Sequence, residues 1–155
     1  LIKAIENLEV KLKIVGNGEE LQNLLSLVDE LNIKNKVTFF SNVDDSQLAV
    51  FYKKADLFVL PSINEAEAFG VVQLEAMANG LPVINTNLAS GVPFVSLNGY
   101  SGITVEPKDV LELRVSIEKI ISNKELYELY SLNALERVNM FSREKMAQAY
   151  MEIYQ

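Results

Sequence analysis

Short apolar runs with strand character alternate with amphipathic helical patterns along the whole chain. The runs lie at residues 10–15, 36–40, 57–60, 82–85 and 103–105. Apolar residues at helical spacing occupy the segments between these runs and continue after the last one. Because a helix between two strands returns the chain to the same end of the sheet, such strands pair in parallel. The pattern predicts a single α/β domain over residues 1–155, with a Rossmann-like parallel sheet and helices on both faces.

One strand-loop-helix unit, residues 61–80, is the most informative part of this pattern. Pro61 ends a strand run, a polar loop follows, and a helix is predicted over 71–79. Gly80 suits the left-handed conformation that closes a helix, and Pro82 cannot continue one. In a parallel sheet, such a unit directs the free N–H groups of the helix toward the carboxyl edge of the strands, where anions bind.

Two glutamates accompany this helix, Glu67 in the loop before it and Glu75 within it. At about 100° per residue, Glu75 lies on or beside a predicted apolar face. That face comprises Val71, Leu74, Met77 and Ala78. Because burying an unpaired carboxylate is costly, we expect Glu75 either to reach the edge of the face or to accept hydrogen bonds from hydroxyl or amide donors. The alternative for both glutamates is a solvated carboxylate, with Glu67 favoured simply by the helix dipole.

Three other loops follow predicted strands and therefore belong to the same edge of the sheet. They contain Gly16, Asn17 and Gly18 after the first strand, Asn42 and Val43 after the second, and Thr86 and Asn87 after the fourth. The glycine pair either lets backbone approach a ligand closely or forms a plain turn. In the second loop, Asp44 or Asp45 is expected to cap the next helix.

Composition restricts the classes of function. The formal net charge of -7 argues against nucleic acid as the main partner, because a phosphate backbone requires a clustered basic surface. Cysteine and histidine are both absent, which excludes within this sequence a thiolate or imidazole metal site and a serine-histidine triad. We expect no metal and no cofactor. No apolar run is long enough to cross a bilayer. The opening LIKAIENLE has the pattern of the middle of a helix, so we expect a fragment of a longer polypeptide.

The segment around the two glutamates matches a known signature. Glu67-Ala68-Phe69-Gly70, followed by Glu75 in LEAMANGLPV, closely resembles the signature of family-four glycosyltransferases of the GT-B fold, in which two glutamates separated by seven residues flank this phrase. Further matching segments are GNGEE at 16–20, FSNV at 40–43, YKKADLFVLPS at 52–62, GLPVINT at 80–86 and NGYSGITVEP at 98–107. The resemblance covers nearly the whole chain and implies the C-terminal half of a GT-B enzyme.

The resemblance implies a binding site for a nucleotide diphosphate sugar as donor substrate. The donor-binding residues that it implies are Gly16, Asn17, Gly18, Asn42, Val43, Phe69, Gly70, Val71, Val72, Glu75, Thr86 and Asn87. Glu75 would accept from the ribose hydroxyls, the N–H groups of 70–72 would hold the phosphates, and Asn42 and Val43 would lie near the base. Glu67 would lie near the donor sugar as the catalytic residue.

The resemblance also implies a reaction. Family members move a sugar, with retention of configuration, from a UDP- or GDP-linked donor to a saccharide or lipid-linked acceptor. For this chain the resemblance implies a hexosyltransferase for mannose or glucose in bacterial polysaccharide or glycolipid biosynthesis. It would act in the cytoplasm, with peripheral association at the inner face of the membrane as an alternative. The acceptor domain, a first strand, and an Arg and a Lys for the diphosphate would precede this chain, so the fragment alone is expected to be inactive.

One departure from the family pattern leaves the sugar open. Many members have Gly-Gly-x-x-Glu in the loop where this chain has SGVPF at 90–94, which lacks the acid. Two other functions remain as alternatives: a non-catalytic nucleotide-sugar-binding or regulatory module of the same fold, and a receiver-type signalling domain phosphorylated on Asp56. The second is disfavoured, because Asp56 precedes its predicted strand whereas a receiver aspartate follows one.

Overall fold

The secondary structure follows the predicted alternation of strands and helices. The structure is a computed structural model that describes residues 1–154. The strands are β1 (Leu12–Val15), β2 (Val37–Phe40), β3 (Phe58–Val59), β4 (Val83–Thr86) and β5 (Gly102–Val105). The helices are α1 (Ile2–Ile5), α2 (Leu21–Glu30), α3 (Asp45–Lys54), α4 (Val71–Ala78), α5 (Val92–Val95), α6 (Val110–Ser122), α7 (Lys124–Val138) and α8 (Arg143–Ile153), with a 3-10 turn at Asn139–Phe141. No helix in this part of the chain combines the length and apolarity needed to span a bilayer.

The strand pairs are parallel, which confirms the predicted α/β class. β1 pairs with β2, where Leu12 lies opposite Val37, and β3, β4 and β5 pair in that order. The sequence pattern predicts one sheet, but the strands form two hydrogen-bonded groups, since no ladder within residues 1–154 joins β1 or β2 to the other three. At the start of β5 only glycine fits, because a Cβ on Gly102 would lie 1.7 Å from the carbonyl oxygen of Val83.

One apolar core nevertheless spans both groups of strands. It includes Val37 of β2, Ile84 of β4 and Val105 of β5, all of them buried. Complete burial of an aliphatic side chain of this size contributes roughly 1.5–3 kcal/mol. The core also takes in apolar residues of α1 and α6, and Arg114 of α6 fastens the two helices by donating from Nε to the carbonyl oxygen of Ala4 at 3.0 Å.

A second apolar cluster holds α4 against α7. Met77 of α4, Ala134 of α7 and Tyr52 of α3 are buried in it. Gly80 closes α4 with a φ of 74°, the left-handed conformation predicted from the sequence, and a Cβ there would lie 3.3 Å from Oγ of Ser131 in α7. The cluster therefore fixes where α4 begins relative to the ends of the strands.

The buried face of α4 differs from the predicted one. The predicted face was apolar, but Val71 and Ala78 are exposed and Leu74 is half-buried. The buried residues are Gln73, Ala76 and Met77. A glutamine occupies a core position here because its amide is hydrogen-bonded within the protein, and a pattern based on hydrophobicity cannot reveal such pairing.

A short helix that the sequence pattern does not predict, α5, follows β4. Pro93 lies in its first turn, where the missing N–H of proline removes no helical hydrogen bond. The carbonyl groups of Val92, Phe94 and Val95 accept hydrogen bonds from buried or half-buried side chains elsewhere in the fold. These contacts hold α5 in place where its own length could not.

Candidate functional site

The loops that follow the strands lie side by side within each group of strands. The N–H of Gly16 donates to the carbonyl oxygen of Phe40 at 2.9 Å, so the loop after β1 begins next to the loop after β2. In the other group, the N–H of Leu60 donates to the carbonyl of Ile84, and that of Asn87 to the carbonyl of Val105, both at 2.8 Å. The parallel strands therefore bring 61–70 and the loop after β4 to one edge.

The start of α4 has a conformation that only glycine adopts without strain. Gly70 is left-handed, with a φ of 72° and a ψ of 56°. A Cβ at this position would lie 2.7 Å from both the Nε2 of Gln73 and the Cδ2 of Leu60. Glu67 Oε1 accepts from the N–H of Gly70 at 3.1 Å, and Glu67 is half-buried. The first acid of the signature thus lies directly at the positive end of the helix.

Two N–H groups at this helix end are available to a ligand. Within residues 1–154, the N–H groups of Val71 and Val72 form no hydrogen bond, and both residues are exposed. The N–H of Gly70, predicted to serve a phosphate, is already bonded to Glu67. In this conformation the anion-binding capacity of α4 therefore rests on Val71 and Val72.

A buried polar network attaches α4 to β4 and α5. Gln73 Nε2 donates to the carbonyl oxygens of Phe69 and Val92, at 3.3 and 3.2 Å. Asn85 Nδ2 donates to Gln73 Oε1 at 2.8 Å, and Asn85 Oδ1 accepts from Thr104 Oγ1 at 2.7 Å. Both amides are almost completely buried, and in the described residues no buried side-chain nitrogen or oxygen lacks a partner. A satisfied network of this kind sets the position of the helix start rigidly.

Glu75 is exposed and has one hydrogen-bond partner for its carboxylate. Tyr52 Oη donates to Glu75 Oε2 at 3.0 Å, so the acid has the hydroxyl donor that the sequence analysis anticipated. Tyr52 is 8% exposed, and its ring meets Phe58 edge-to-face with centroids 5.9 Å apart. Burial, and secondarily the Glu75 carboxylate, raise the pKa of the Tyr52 hydroxyl, which keeps it a donor at neutral pH. The other oxygen, Oε1, forms no hydrogen bond among the described residues.

The loops after β1 and β2 are exposed and open. Gly16 has a φ of 148°, and a Cβ on Gly16 or Gly18 would meet no atom within 4 Å. Asn42 is left-handed, with a φ of 56°, and it is exposed, whereas Val43 is half-buried. The next residue caps α3 as predicted: Asp44 Oδ1 accepts from the N–H of Gln47 at 2.9 Å.

Thr86 and Asn87 have different surroundings. Thr86 is buried, and its Oγ1 donates to the carbonyl oxygen of Ser62 at 2.7 Å, which fastens the loop after β3 to the end of β4. Asn87 is exposed, and its Nδ2 donates to Glu106 Oε1 at 2.8 Å. The Thr86 hydroxyl is therefore used in a hydrogen bond within the protein, whereas the Asn87 side chain is accessible to solvent.

Sequence reasoning overlooked the residues that support Phe69. The Phe69 ring packs edge-to-face on Phe141, with centroids 5.9 Å apart, and Phe141 lies against the Arg137 guanidinium. The N–H of Gly91 donates to the carbonyl of Ala68 at 2.7 Å. Phe141 follows Arg137 by four residues, but the sequence contains no signal that either of them meets Phe69.

Within residues 1–154, acidic side chains form no group of three that could hold a metal ion. The feature of the edge that suits an anion is the start of α4, with its two open N–H groups. The feature that suits vicinal hydroxyl groups is the free oxygen of Glu75.

This architecture is that of the GT-B glycosyltransferases. Sucrose-phosphate synthase from Thermosynechococcus elongatus superposes with a TM-score of 0.85 at 30% identity, over 99% of this chain and 41% of that one. HepE from Anabaena in complex with UDP-glucose superposes with a TM-score of 0.81 at 26% identity, over 90% of this chain and 39% of that one.

The sequence places the chain within a family. The protein-family model described as glycosyl transferases group 1 matches residues 1–137 of the sequence. N-acetyl-alpha-D-glucosaminyl L-malate synthase from Bacillus anthracis is 33% identical over 153 residues, which cover 98% of this chain and 39% of that protein. The chain belongs to the glycosyl transferases group 1 family, and it spans less than half the length of the first curated relatives that it matches. Family membership argues against the receiver-type alternative, and Asp56 indeed lies ahead of β3.

Proposed function

We propose that this chain is the C-terminal, donor-binding half of a retaining family-four glycosyltransferase. The observation that carries the proposal is the arrangement around α4: open N–H groups at Val71 and Val72, Glu67 at the helix start, and Glu75 held by Tyr52 with one free oxygen. Its substrate would be a nucleotide diphosphate sugar. The HepE structures contain UDP-glucose or UDP, which favours a UDP-linked donor over a GDP-linked one as the first to test.

Each part of such a donor would have a partner on this edge. The diphosphate would accept from the N–H groups of Val71 and Val72, where the helix dipole also favours negative charge. The ribose hydroxyls would donate to Glu75 Oε1, as charge-assisted hydrogen bonds. The exposed loop at Asn42 and Val43 would contact the base. The remaining parts of the cleft would be lined by the exposed loop at 16–18, together with Phe69, Thr86 and Asn87.

Transfer would break the bond between the anomeric carbon and the phosphate oxygen, and its electron pair would pass to the departing diphosphate. The N–H groups at the start of α4 would stabilise the negative charge that grows there. The acceptor hydroxyl oxygen would form the new bond to the anomeric carbon, and its proton would pass to the oxygen of the departing diphosphate. Glu67, which accepts from the N–H of Gly70, would lie beside the sugar. Its carboxylate would accept hydrogen bonds from the sugar hydroxyls or stabilise the positive charge that develops at the anomeric carbon. We assign no protein nucleophile.

The acceptor site would lie in a preceding domain of the same polypeptide. This chain covers 39–44% of several curated relatives, so a further domain of comparable size fits the proposal. An additional parallel strand ahead of Leu1 would also join the two groups of strands into the one sheet that the sequence predicts. The turn after that strand would contribute an Arg and a Lys to the diphosphate. On this proposal, residues 1–155 alone bind nucleotide weakly and transfer no sugar.

The wider role also remains a proposal. We place the intact enzyme in the cytoplasm or at the inner face of the membrane, transferring mannose or glucose in polysaccharide or glycolipid biosynthesis. LpsE from Rhizobium meliloti, which is named for lipopolysaccharide core biosynthesis, is 32% identical over 155 residues and supports that direction.

A donor screen on the intact protein tests the proposal. UDP- and GDP-linked glucose and mannose would be offered with oligosaccharide and lipid-linked acceptors, and the anomeric configuration of the product determined by NMR. We expect one donor to be consumed with retention, and Glu67→Gln to abolish transfer while nucleotide binding persists. Tight nucleotide-sugar binding without transfer to any acceptor would favour the non-catalytic module instead. Absence of binding to every donor would reject both.

A further inference from the structure

Arg137 lies near the end of α7 and is buried, with 6% of its surface exposed. No carboxylate pairs with it among the described residues. Its Nε donates to the carbonyl oxygen of Val95 at 3.2 Å, and its Nη2 donates to that of Phe94. A guanidinium removed from water is costly unless other groups replace its hydration. The backbone of α5 supplies part of that replacement.

Met140 Sδ accepts from Arg137 Nη1 at 3.1 Å, and two aromatic rings cover the guanidinium and lead toward the signature loop. The Cζ of Arg137 lies 4.9 Å from the ring centroids of both Phe94 and Phe141, a geometry in which a cation is attracted to each ring. Phe141 in turn packs edge-to-face on Phe69. Phe69 precedes Gly70 directly, so a continuous set of contacts runs from the buried charge to the start of α4.

α5 reaches the same loop from another direction. The N–H of Gly91, which precedes α5, donates to the carbonyl oxygen of Ala68 at 2.7 Å. A Cβ on Gly91 would lie 2.6 Å from Cδ2 of Phe69, so the two segments fit together without spare room. Arg137 holds the far end of α5 through its two carbonyl bonds. The loop that carries Glu67 is therefore supported both by Phe141 and by α5, and Arg137 contacts each support.

We propose that Arg137 is a positioning residue for the sugar-diphosphate end of the site. It acts through Phe141 and α5 to fix Phe69, and thereby the Glu67 carboxylate and the N–H groups of Val71 and Val72. Its own contacts do not include Tyr52 or Phe58, which support Glu75 at the ribose end. This inference rests on the proposed function and adds a residue that no part of the signature contains.

The test separates the two ends of the donor. In the intact protein, Arg137→Met would be compared with Arg137→Lys, which keeps the charge and one donor, and with Phe141→Leu, which removes the ring but leaves the arginine. Arg114→Met is the matched control, because Arg114 also bonds backbone carbonyls but fastens α6 to α1. Affinities for uridine and for UDP, or for guanosine and GDP if the guanine nucleotide binds more tightly, would be measured by calorimetry alongside kcat and KM.

Arg137→Met is expected to lower the diphosphate affinity and kcat on the order of 10- to 100-fold, since a small misplacement of reacting groups has such effects. The nucleoside affinity should be unchanged, with partial recovery in Arg137→Lys. Phe141→Leu should also lower the ratio of diphosphate affinity to nucleoside affinity. This variant decides the test if Arg137→Met does not fold. Equal losses of nucleoside and diphosphate affinity, or no loss of either, would overturn the inference. An equal fall of the diphosphate-to-nucleoside affinity ratio in Arg114→Met would overturn it as well. If the unaltered protein binds neither UDP nor GDP, the proposed function itself fails.

Discussion

The hydroxyl of Tyr52 donates to the carboxylate of Glu75 at 3.0 Å and joins the helix after β2 to the helix after β3. The tyrosine is buried and the glutamate is exposed, so a fixed donor orients a carboxylate that faces solvent. Glu75 Oε2 is engaged in this way, and Oε1 forms no hydrogen bond within residues 1–154. The pairing links α3 to α4, and on the proposed function the nucleotide would bind beside it.

Removing the Tyr52 hydroxyl should weaken nucleotide binding without unfolding the protein. In Tyr52→Phe the ring packing against Phe58 is kept, and one hydrogen bond to a carboxylate is lost. We expect the Kd of the preferred nucleoside diphosphate to rise about 3- to 10-fold, the equivalent of ~1 kcal/mol. Calorimetric titration of the intact protein measures this. Tyr130→Phe, in the other core cluster, is the control, and an equal effect there would argue against orientation of Glu75.

The same hydroxyl predicts how stability depends on alkaline pH. Burial raises the pKa of Tyr52 above its ordinary value of 10.0, so above pH 10 the unfolded chain loses this proton while the folded one keeps it. The contribution of Tyr52 to the free energy of unfolding should therefore be fully present and constant below pH 10. It should be lost as the pH rises further. Urea unfolding at pH 9–11 should show a shallower decline in Tyr52→Phe, whereas Tyr150→Phe on exposed α8 should leave the slope unchanged.

Some decline of the free energy of unfolding at alkaline pH should persist in Tyr52→Phe. Burial also raises the pKa of Tyr127 and Tyr130, and the bond to Glu136 raises that of Tyr100. A slope identical to that of the unaltered protein would mean that Tyr52 does not keep its proton on folding.

Gly70 should tolerate no side chain. In Gly70→Ala the methyl group would lie 2.7 Å from Leu60 and Gln73 at a φ of 72°, so we expect a loss of about 1–3 kcal/mol in the free energy of unfolding. Nucleotide binding should weaken as well, because the start of α4 must shift. Gly18→Ala is the matched control, since a Cβ there meets no atom within 4 Å. Denaturant titration compares the two, and equal stabilities would contradict the described geometry.

The buried amide pair should be essential for stability. Gln73→Leu would remove one acceptor of Asn85 Nδ2, at 2.8 Å, and the buried donor to the carbonyl oxygens of Phe69 and Val92, so we expect a loss of about 1–3 kcal/mol. Gln22→Leu, at an exposed position of α2, is the control and should change stability by less than about 0.5 kcal/mol. If urea unfolding gives similar values for the two variants, the network does not hold α4 as we describe.

Local patterns in the sequence were sufficient for the strands and for the helices other than α5, and for their order. Helical and strand periodicity, together with Gly80 and Asp44 as helix ends, depend on neighbouring residues, and the structure confirms them. Parallel pairing followed from the alternation itself. The placement of the loops at a shared strand edge is a consequence of that topology and needed no knowledge of side chains.

Contacts between distant residues could not be predicted in the same way. Gln73 is buried because Asn85, Phe69 and Val92 satisfy its amide. The apolar face predicted from hydrophobic periodicity included Val71 and did not include Gln73. Arg137 approaches Phe69 only through the packing of α7 and the 3-10 turn. Such interactions depend on tertiary geometry, which a one-dimensional pattern does not contain.

The most direct test concerns Glu75 and the ribose. The intact protein and Glu75→Ala would each be titrated with the preferred nucleoside diphosphate and with its 2′-deoxy form. We predict that Glu75→Ala loses ~1.5–3 kcal/mol of binding to the ribonucleotide and much less to the deoxynucleotide, because the missing hydroxyl has already removed the interaction. Equal losses for both nucleotides, or none for either, would contradict the assignment of this carboxylate to the ribose.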